Sequence, residues 1–208
     1  MTRFYAGLAA ALVAAFLGVS AYLFLHNRNA DAFAQCRSSQ VAGGDIGGPF
    51  TLVGTDGKTV TDKEVLAKPS LVYFGYTFCP DVCPLDMGRN VEAVDILEER
   101  GFDVTPVFIS IDPERDTPEA LADYAGNLHP KLVALTGSLD QVKAASQAYK
   151  TYFAKQPADD EFYLVDHSTM TYLMLPGGRF ADFYRRDIAA DQMAESVACF
   201  LTADEAEG

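Results

Sequence analysis

Residues 70–88 read SLVYFGYTFCPDVCPLDMG. The opening run, 70–77, is almost continuously apolar, as expected of a strand buried on both faces. Cys79 and Cys83 follow, four positions apart, each with a proline behind it. A helix is expected from Asp81 to Arg100, with Val91, Val94 and Leu97 on its apolar stripe and Gly101 as its stop. The cysteines then sit where a strand's C-terminal end meets a helix N-terminus. Unpaired N–H groups there favour a thiolate over a thiol. Prolines in a first helical turn remove only N–H groups that would be orphaned, and they stiffen the loop. Positions i and i+4 lie one turn apart on one face, so both sulfurs can converge on one point. A disulfide between them closes too short a loop to be a strong structural staple. A redox couple or a metal clip fits the spacing better.

Outward from this stretch, PFTLVGTDGKTVT carries a hairpin signal at Asp56-Gly57. VTPVFISID (104–112) is a second buried strand. Thr117 caps the next helix, with Pro118 at its first position. KLVALTG (131–137) is a third strand, and Ser138 caps a helix over 138–149. Residues 162–186 read as two strands joined at Pro176-Gly177-Gly178, and 189–201 as a closing helix with Met193, Val197, Phe200 and Leu201 on one stripe. Strand–helix alternation implies parallel strands with right-handed crossovers. The late hairpin adds antiparallel ones. The expected class is α/β: a thioredoxin-like mixed sheet flanked by helices, with an N-terminal β-hairpin.

From Phe4 to Leu25 the chain holds no charge. As a helix this run spans ~33 Å, against a hydrocarbon core of ~30 Å. It is expected to be an uncleaved transmembrane anchor, although Ala32–Ala34 also has the small-x-small form of a cleavage site. Lipidation of Cys36 is disfavoured by Gln35 before it. Arg3 on one side and Arg28 and Arg37 on the other leave orientation open. The expected organisation is an anchor, 1–26, a linker, 27–44, a domain, 45–203, and an acidic tail, 204–208. The formal charge of −13 leaves no basic stripe for nucleic acid.

Two thiolates suit Cu(I) or Zn but need a third ligand. His26 borders the apolar segment. His129, in NLHPKL, reads as a solvated turn residue. His167, in YLVDHSTMTYLML, lies before the late hairpin, and in a thioredoxin-like fold that loop faces the cysteine motif, which makes it the leading candidate. Asp166 could orient it from behind or serve as a cap. Asp81 and Asp86 read as helix N-terminal charges. Met87, Met170 and Met174 read as core.

FGYTFCPDVCP, ISIDPERDTPE and DHSTMTYLMLPGGRF together resemble the SCO/SenC family of membrane-anchored copper proteins that assemble cytochrome c oxidase. The resemblance runs in order from about Gly47 to Phe200. It implies one copper, Cu(I) or Cu(II), bound by Cys79, Cys83 and His167. It also implies delivery to the binuclear copper centre of cytochrome c oxidase subunit II, or reduction of that centre's thiols by a Cys79–Cys83 redox couple. A single-pass inner-membrane anchor with the domain in the periplasm follows as well, and another periplasmic copper chaperone is a further candidate partner. Within IDPERDTPE only the helix cap at Thr117 and Pro118 has a physical reading from sequence. Cys36 and Cys199 lie outside the family pattern; in an oxidising compartment they can pair or stay free.

Three functions would use these residues differently. A copper carrier, not an enzyme in the turnover sense, needs all three side chains. A dedicated thiol–disulfide reductase needs only the cysteines, and the absence of a proline near His167 speaks against a general oxidoreductase. A peroxidase needs a basic activator, for which Arg89 is the nearest and a poor candidate.

Overall fold

The computed structural model describes residues 2–28, 33–37, 46–158 and 162–207. The chain divides into two compact units, Met1–Gln35 and Cys36–Gly208. The first contains helix α1, Thr2–Arg28, which runs past the end expected for the anchor. Among the described residues no helix is long and apolar enough to cross a membrane, so the transmembrane span expected here is not shown. Much of the expected linker, with Gly43 and Gly44, and Ala32 of the small-x-small triplet lie outside the described residues.

The second unit opens with strands β1 (Thr51–Gly54) and β2 (Thr59–Thr61), the expected hairpin. Gly57, at φ 74°, occupies its turn, a conformation a glycine adopts without steric cost. A short helix, α2 (Asp62–Val65), leads to β3 (Ser70–Gly75), α3 (Val82–Glu99), β4 (Thr105–Ser110), α4 (Pro118–Leu128), β5 (Val133–Thr136) and α5 (Leu139–Ala148). The caps form as expected. The Thr117 side chain accepts from the Ala120 N–H, and Ser138 forms a capping box with Gln141. Each such cap is worth about 1 kcal/mol.

The sheet order is β2-β1-β5-β4-β3-β8-β9, where β8 is Thr171–Leu175 and β9 is Arg179–Tyr184. β3, β4 and β5 are parallel; β8 joins β3 antiparallel and carries β9. Every residue of β3 is buried, as a central strand covered on both faces requires. Helix α6 (Ala190–Glu207) packs against α3, burying Met193, Val197, Phe200 and Leu201.

Three expectations need correction. The segment 162–186 holds three strands, not two: β7 (Val165–His167) precedes β8 and pairs with β6 (Phe153–Lys155) in a separate two-stranded sheet. A three-residue strand has too short an alternation to mark its own end at 168–170, so it reads as one strand with β8. The closing helix continues through the segment expected as an acidic tail, to Glu207, where both Asp204 carboxylate oxygens lie 2.7 Å from the Arg179 guanidinium. His129 is buried rather than solvated: Nε2 lies 3.1 Å from Asp95 and Nδ1 accepts from the Lys131 N–H. Cys36 and Cys199 form a disulfide with Cα atoms 5.5 Å apart, and the Ser196 hydroxyl donates to the Cys36 carbonyl.

Candidate metal centre

β3 ends at Gly75, where the chain must pass close to its neighbours. A Cβ built on Gly75 would stand 2.8 Å from the Tyr73 ring, 2.9 Å from the Phe108 ring and 3.0 Å from Cys83 Sγ. Beyond it, residues 76–81 turn into α3. Asp81, at the N-cap position, makes no side-chain cap. Instead the Cys83 N–H donates to Cys79 Sγ at 3.4 Å, so a sulfur takes up one of the orphan donors of the first turn.

The two thiols are buried, free and differently placed. For Cys79, burial raises the pKa, but N–H groups of Asp81, Cys83 and Val82 outweigh it and hold the thiol below its ordinary value. For Cys83, burial dominates, the Cys79 sulfur adds to it, and the thiol lies well above the usual range.

His167 comes to them from the end of β7, paired with Phe153. Its Nδ1 lies 2.9 Å from the Ser168 carbonyl. A carbonyl only accepts, so Nδ1 carries the hydrogen and Nε2 presents a lone pair. That Nε2 stands 3.4 Å from Cys83 Sγ. Burial lowers the imidazole pKa, which keeps the ring neutral. Tyr73 and Tyr76 meet the ring edge-on at 6.2 and 5.8 Å between centroids. Among the described residues, Cys79, Cys83 and His167 form a group whose donor atoms all lie within 4.8 Å of one another. Two sulfurs and a neutral imidazole nitrogen make a soft donor set that suits copper or zinc.

Asp166 does not hold the imidazole. It is exposed and accepts from Gln156 Nε2 at 2.7 Å, while the Ser168 carbonyl does the orienting. Asp86, read as a helix charge, is instead buried behind the site, accepting from the Tyr73 hydroxyl at 2.9 Å and from Arg186 Nε at 3.1 Å. Its place three residues after Cys83 on one helix is the signal that could have found it. Arg89 donates to the Arg185 carbonyl and to Thr171 and does not serve the sulfurs. Met87 and Met174 are core, and Met170 is half-buried against it.

The IDPERDTPE stretch braces the cysteine loop. The Asp116 carboxylate accepts from the Thr77 N–H and hydroxyl and from the Ser110 hydroxyl, which anchors the loop two residues before Cys79. The Arg115 guanidinium lies 3.6 Å from the Tyr163 ring centroid and 4.8 Å from that of Phe78. It also pairs with Asp112, which accepts from the Tyr163 hydroxyl at 2.6 Å. The Val165 N–H donates to the Tyr76 hydroxyl at 3.3 Å. The cysteine loop and the strand bearing His167 are therefore fastened to one another through this motif.

A model of the family described as SCO1/SenC matches residues 38–202. The chain belongs to the SCO1/SenC family. It is 51% identical over 201 residues to Protein SenC of Rhodobacter capsulatus, covering 96% of this chain and 91% of that one. It is 44% identical over 159 residues to the human mitochondrial Protein SCO1 homolog, spanning 75% of this chain but only 53% of that protein. The crystal structure of Arabidopsis thaliana ScoI with copper bound superposes with a TM-score of 0.72 at 43% identity, covering 76% of this chain and 99% of that one. These matches bear out the resemblance carried by the three sequence motifs, and the fold is that of the copper-bound SCO1/SenC structure.

Proposed function

We propose that this SCO1/SenC protein is a copper carrier that holds one ion through Cys79 Sγ, Cys83 Sγ and His167 Nε2. The carrying observation is the convergence of those three donor atoms within 4.8 Å, with the imidazole already neutral and its lone pair turned inward. Copper in the related Arabidopsis ScoI structure supports the choice of metal. The physiological recipient is the binuclear copper centre of cytochrome c oxidase subunit II. The uncharged run Phe4–Leu25, within α1 and with exposed Leu12, Phe16, Leu17 and Leu23, supports a single-pass membrane anchor, and the family resemblance supports placing that anchor in the inner membrane with the domain in the periplasm.

The test is copper titration of the reduced full chain in detergent, beside His167→Ala. Wild type takes up one copper per chain, and the variant loses at least about 100-fold in affinity, beyond the 10–100-fold carried by outer-shell partners. Equal affinity in the two proteins would remove the ligand assignment.

One observation favours a second reading. Cys79 is depressed by helix N–H groups and Cys83 is raised by burial, an asymmetry suited to a thiolate attacking a disulfide and a second thiol resolving it. A reductase keeping the recipient's cysteines reduced retains most of its rate in His167→Ala and loses it in Cys79→Ser.

A further inference from the structure

Behind Cys83 lies a chain of polar groups that the ligand set does not use. The Tyr73 hydroxyl oxygen stands 2.9 Å from Asp86 Oδ2 and 3.9 Å from Cys83 Sγ. Arg186 Nε reaches Asp86 Oδ1 at 3.1 Å. The Asp86 side chain is 4% exposed and that of Arg186 40%, so a buried carboxylate is held from the rim of the domain. Asp86 and Tyr73 lie on different elements, α3 and β3, and Arg186 comes from the connection between β9 and α6.

A tyrosine has one hydroxyl hydrogen, and a carboxylate only accepts. Asp86 is the nearer and stronger acceptor, so the hydrogen points to Asp86. The hydroxyl lone pairs then face the Cys83 sulfur. Polar contacts around a ligating sulfur tune the valence preference of a copper–thiolate centre.

We propose that Asp86, clamped by Arg186, is a positioning residue that turns the Tyr73 hydroxyl hydrogen away from Cys83 and so biases the copper centre toward Cu(II). The inference rests on the copper reading above. With its hydrogen taken, Tyr73 withdraws no electron density from the Cys83 sulfur, and the sulfur remains a strong donor. An amide at position 86 can present its NH2 to the Tyr73 oxygen, which releases the hydroxyl hydrogen to the sulfur and weakens that donor.

The test uses the full chain in detergent with wild type, Asp86→Asn, Tyr73→Phe and the double variant, each loaded with Cu(II) and with Cu(I). In Asp86→Asn the sulfur-to-Cu(II) charge-transfer band moves to higher energy. The ratio of the Cu(II) to the Cu(I) dissociation constant rises about tenfold, the scale of an outer-shell partner. In the Tyr73→Phe background, Asp86→Asn adds no further change, because Asp86 acts through the hydroxyl. An unmoved band in Asp86→Asn overturns the proposal, and so does an equal shift in both backgrounds. Should circular dichroism show Asp86→Asn unfolded, Arg186→Gln, at a side chain partly in solvent, carries the test. Loss of the clamp shifts the band in the same direction by a smaller amount, and an unchanged band overturns the proposal. A wild type that takes up no copper ends the copper reading and this one together, whereas a loaded wild type with unresponsive variants ends only this one.

Discussion

His167 Nε2 stands 3.4 Å from Cys83 Sγ although 84 positions separate the two residues. The approach is held from both sides: the Ser168 carbonyl fixes the imidazole, and the helix N-terminus fixes the sulfurs. Burial lowers the histidine pKa from its ordinary 6.5. The folded imidazole therefore binds fewer protons than the unfolded one, and acid opposes folding. The contribution of His167 is fully present above about pH 6.5 and is lost as pH falls through the depressed folded value. Urea midpoints of the metal-free wild type and His167→Gln, followed from pH 8 to 5, are expected to show the wild type losing ground as acidity increases. A pH-independent gap between them would contradict this.

The two free thiols should react in a fixed order. Cys79, depressed by the N–H groups of the helix start, carries more thiolate at neutral pH than Cys83, which burial raises. Iodoacetamide added to the reduced metal-free protein is expected to label Cys79 at least about tenfold faster, since thiolate is the reacting species. Peptide mapping by mass spectrometry reads the order, and Cys83 labelled first would count against it.

Gly75 has no room for a methyl group. The obstructing atoms, on Tyr73, Phe108 and Cys83, lie 2.8 to 3.0 Å from where it would sit, and they belong to packed rings and a site sulfur. Gly75→Ala is expected to cost about 1–3 kcal/mol, the usual penalty of overpacking, and to weaken copper binding by displacing Cys83. Chemical denaturation and copper titration measure the two effects. A variant indistinguishable from wild type in both would show that the loop yields freely.

The disulfide joins residues 163 positions apart. Cys36→Ser combined with Cys199→Ser is expected to destabilise the protein by about 2–4 kcal/mol. Copper stoichiometry stays the same, because Cys79 and Cys83 are untouched. Thermal unfolding and metal analysis of the double variant decide the matter; a change in stoichiometry would place the bond in the site.

Much of this centre was legible along the chain because local chemistry wrote it there. The apolar run before Cys79 gave β3, the prolines and first-turn position gave the helix start, and Thr117 and Ser138 marked their helices. The parts that stayed hidden depend on partners far away. Asp86 has the sequence context of a helix N-terminal charge; only the fold brings Tyr73 and Arg186 to it. His129 sits in a turn by its neighbours, yet Asp95, 34 positions earlier, meets its ring, and the histidine itself is buried. The IDPERDTPE stretch was opaque because its contacts reach Thr77 and Tyr163, on either side of it in the chain. The break that separates the strand bearing His167 from β8 is hidden in the sequence, because three residues carry almost no periodicity of their own.

Adjacent side chains of a ribbon face opposite ways, and here His167 turns inward while Asp166 faces solvent. A slip of one residue in the pairing of Phe153 with His167 would exchange them. A hard carboxylate would then meet the sulfurs where a nitrogen now does, and the cavity would lose its taste for soft ions without a single change of sequence.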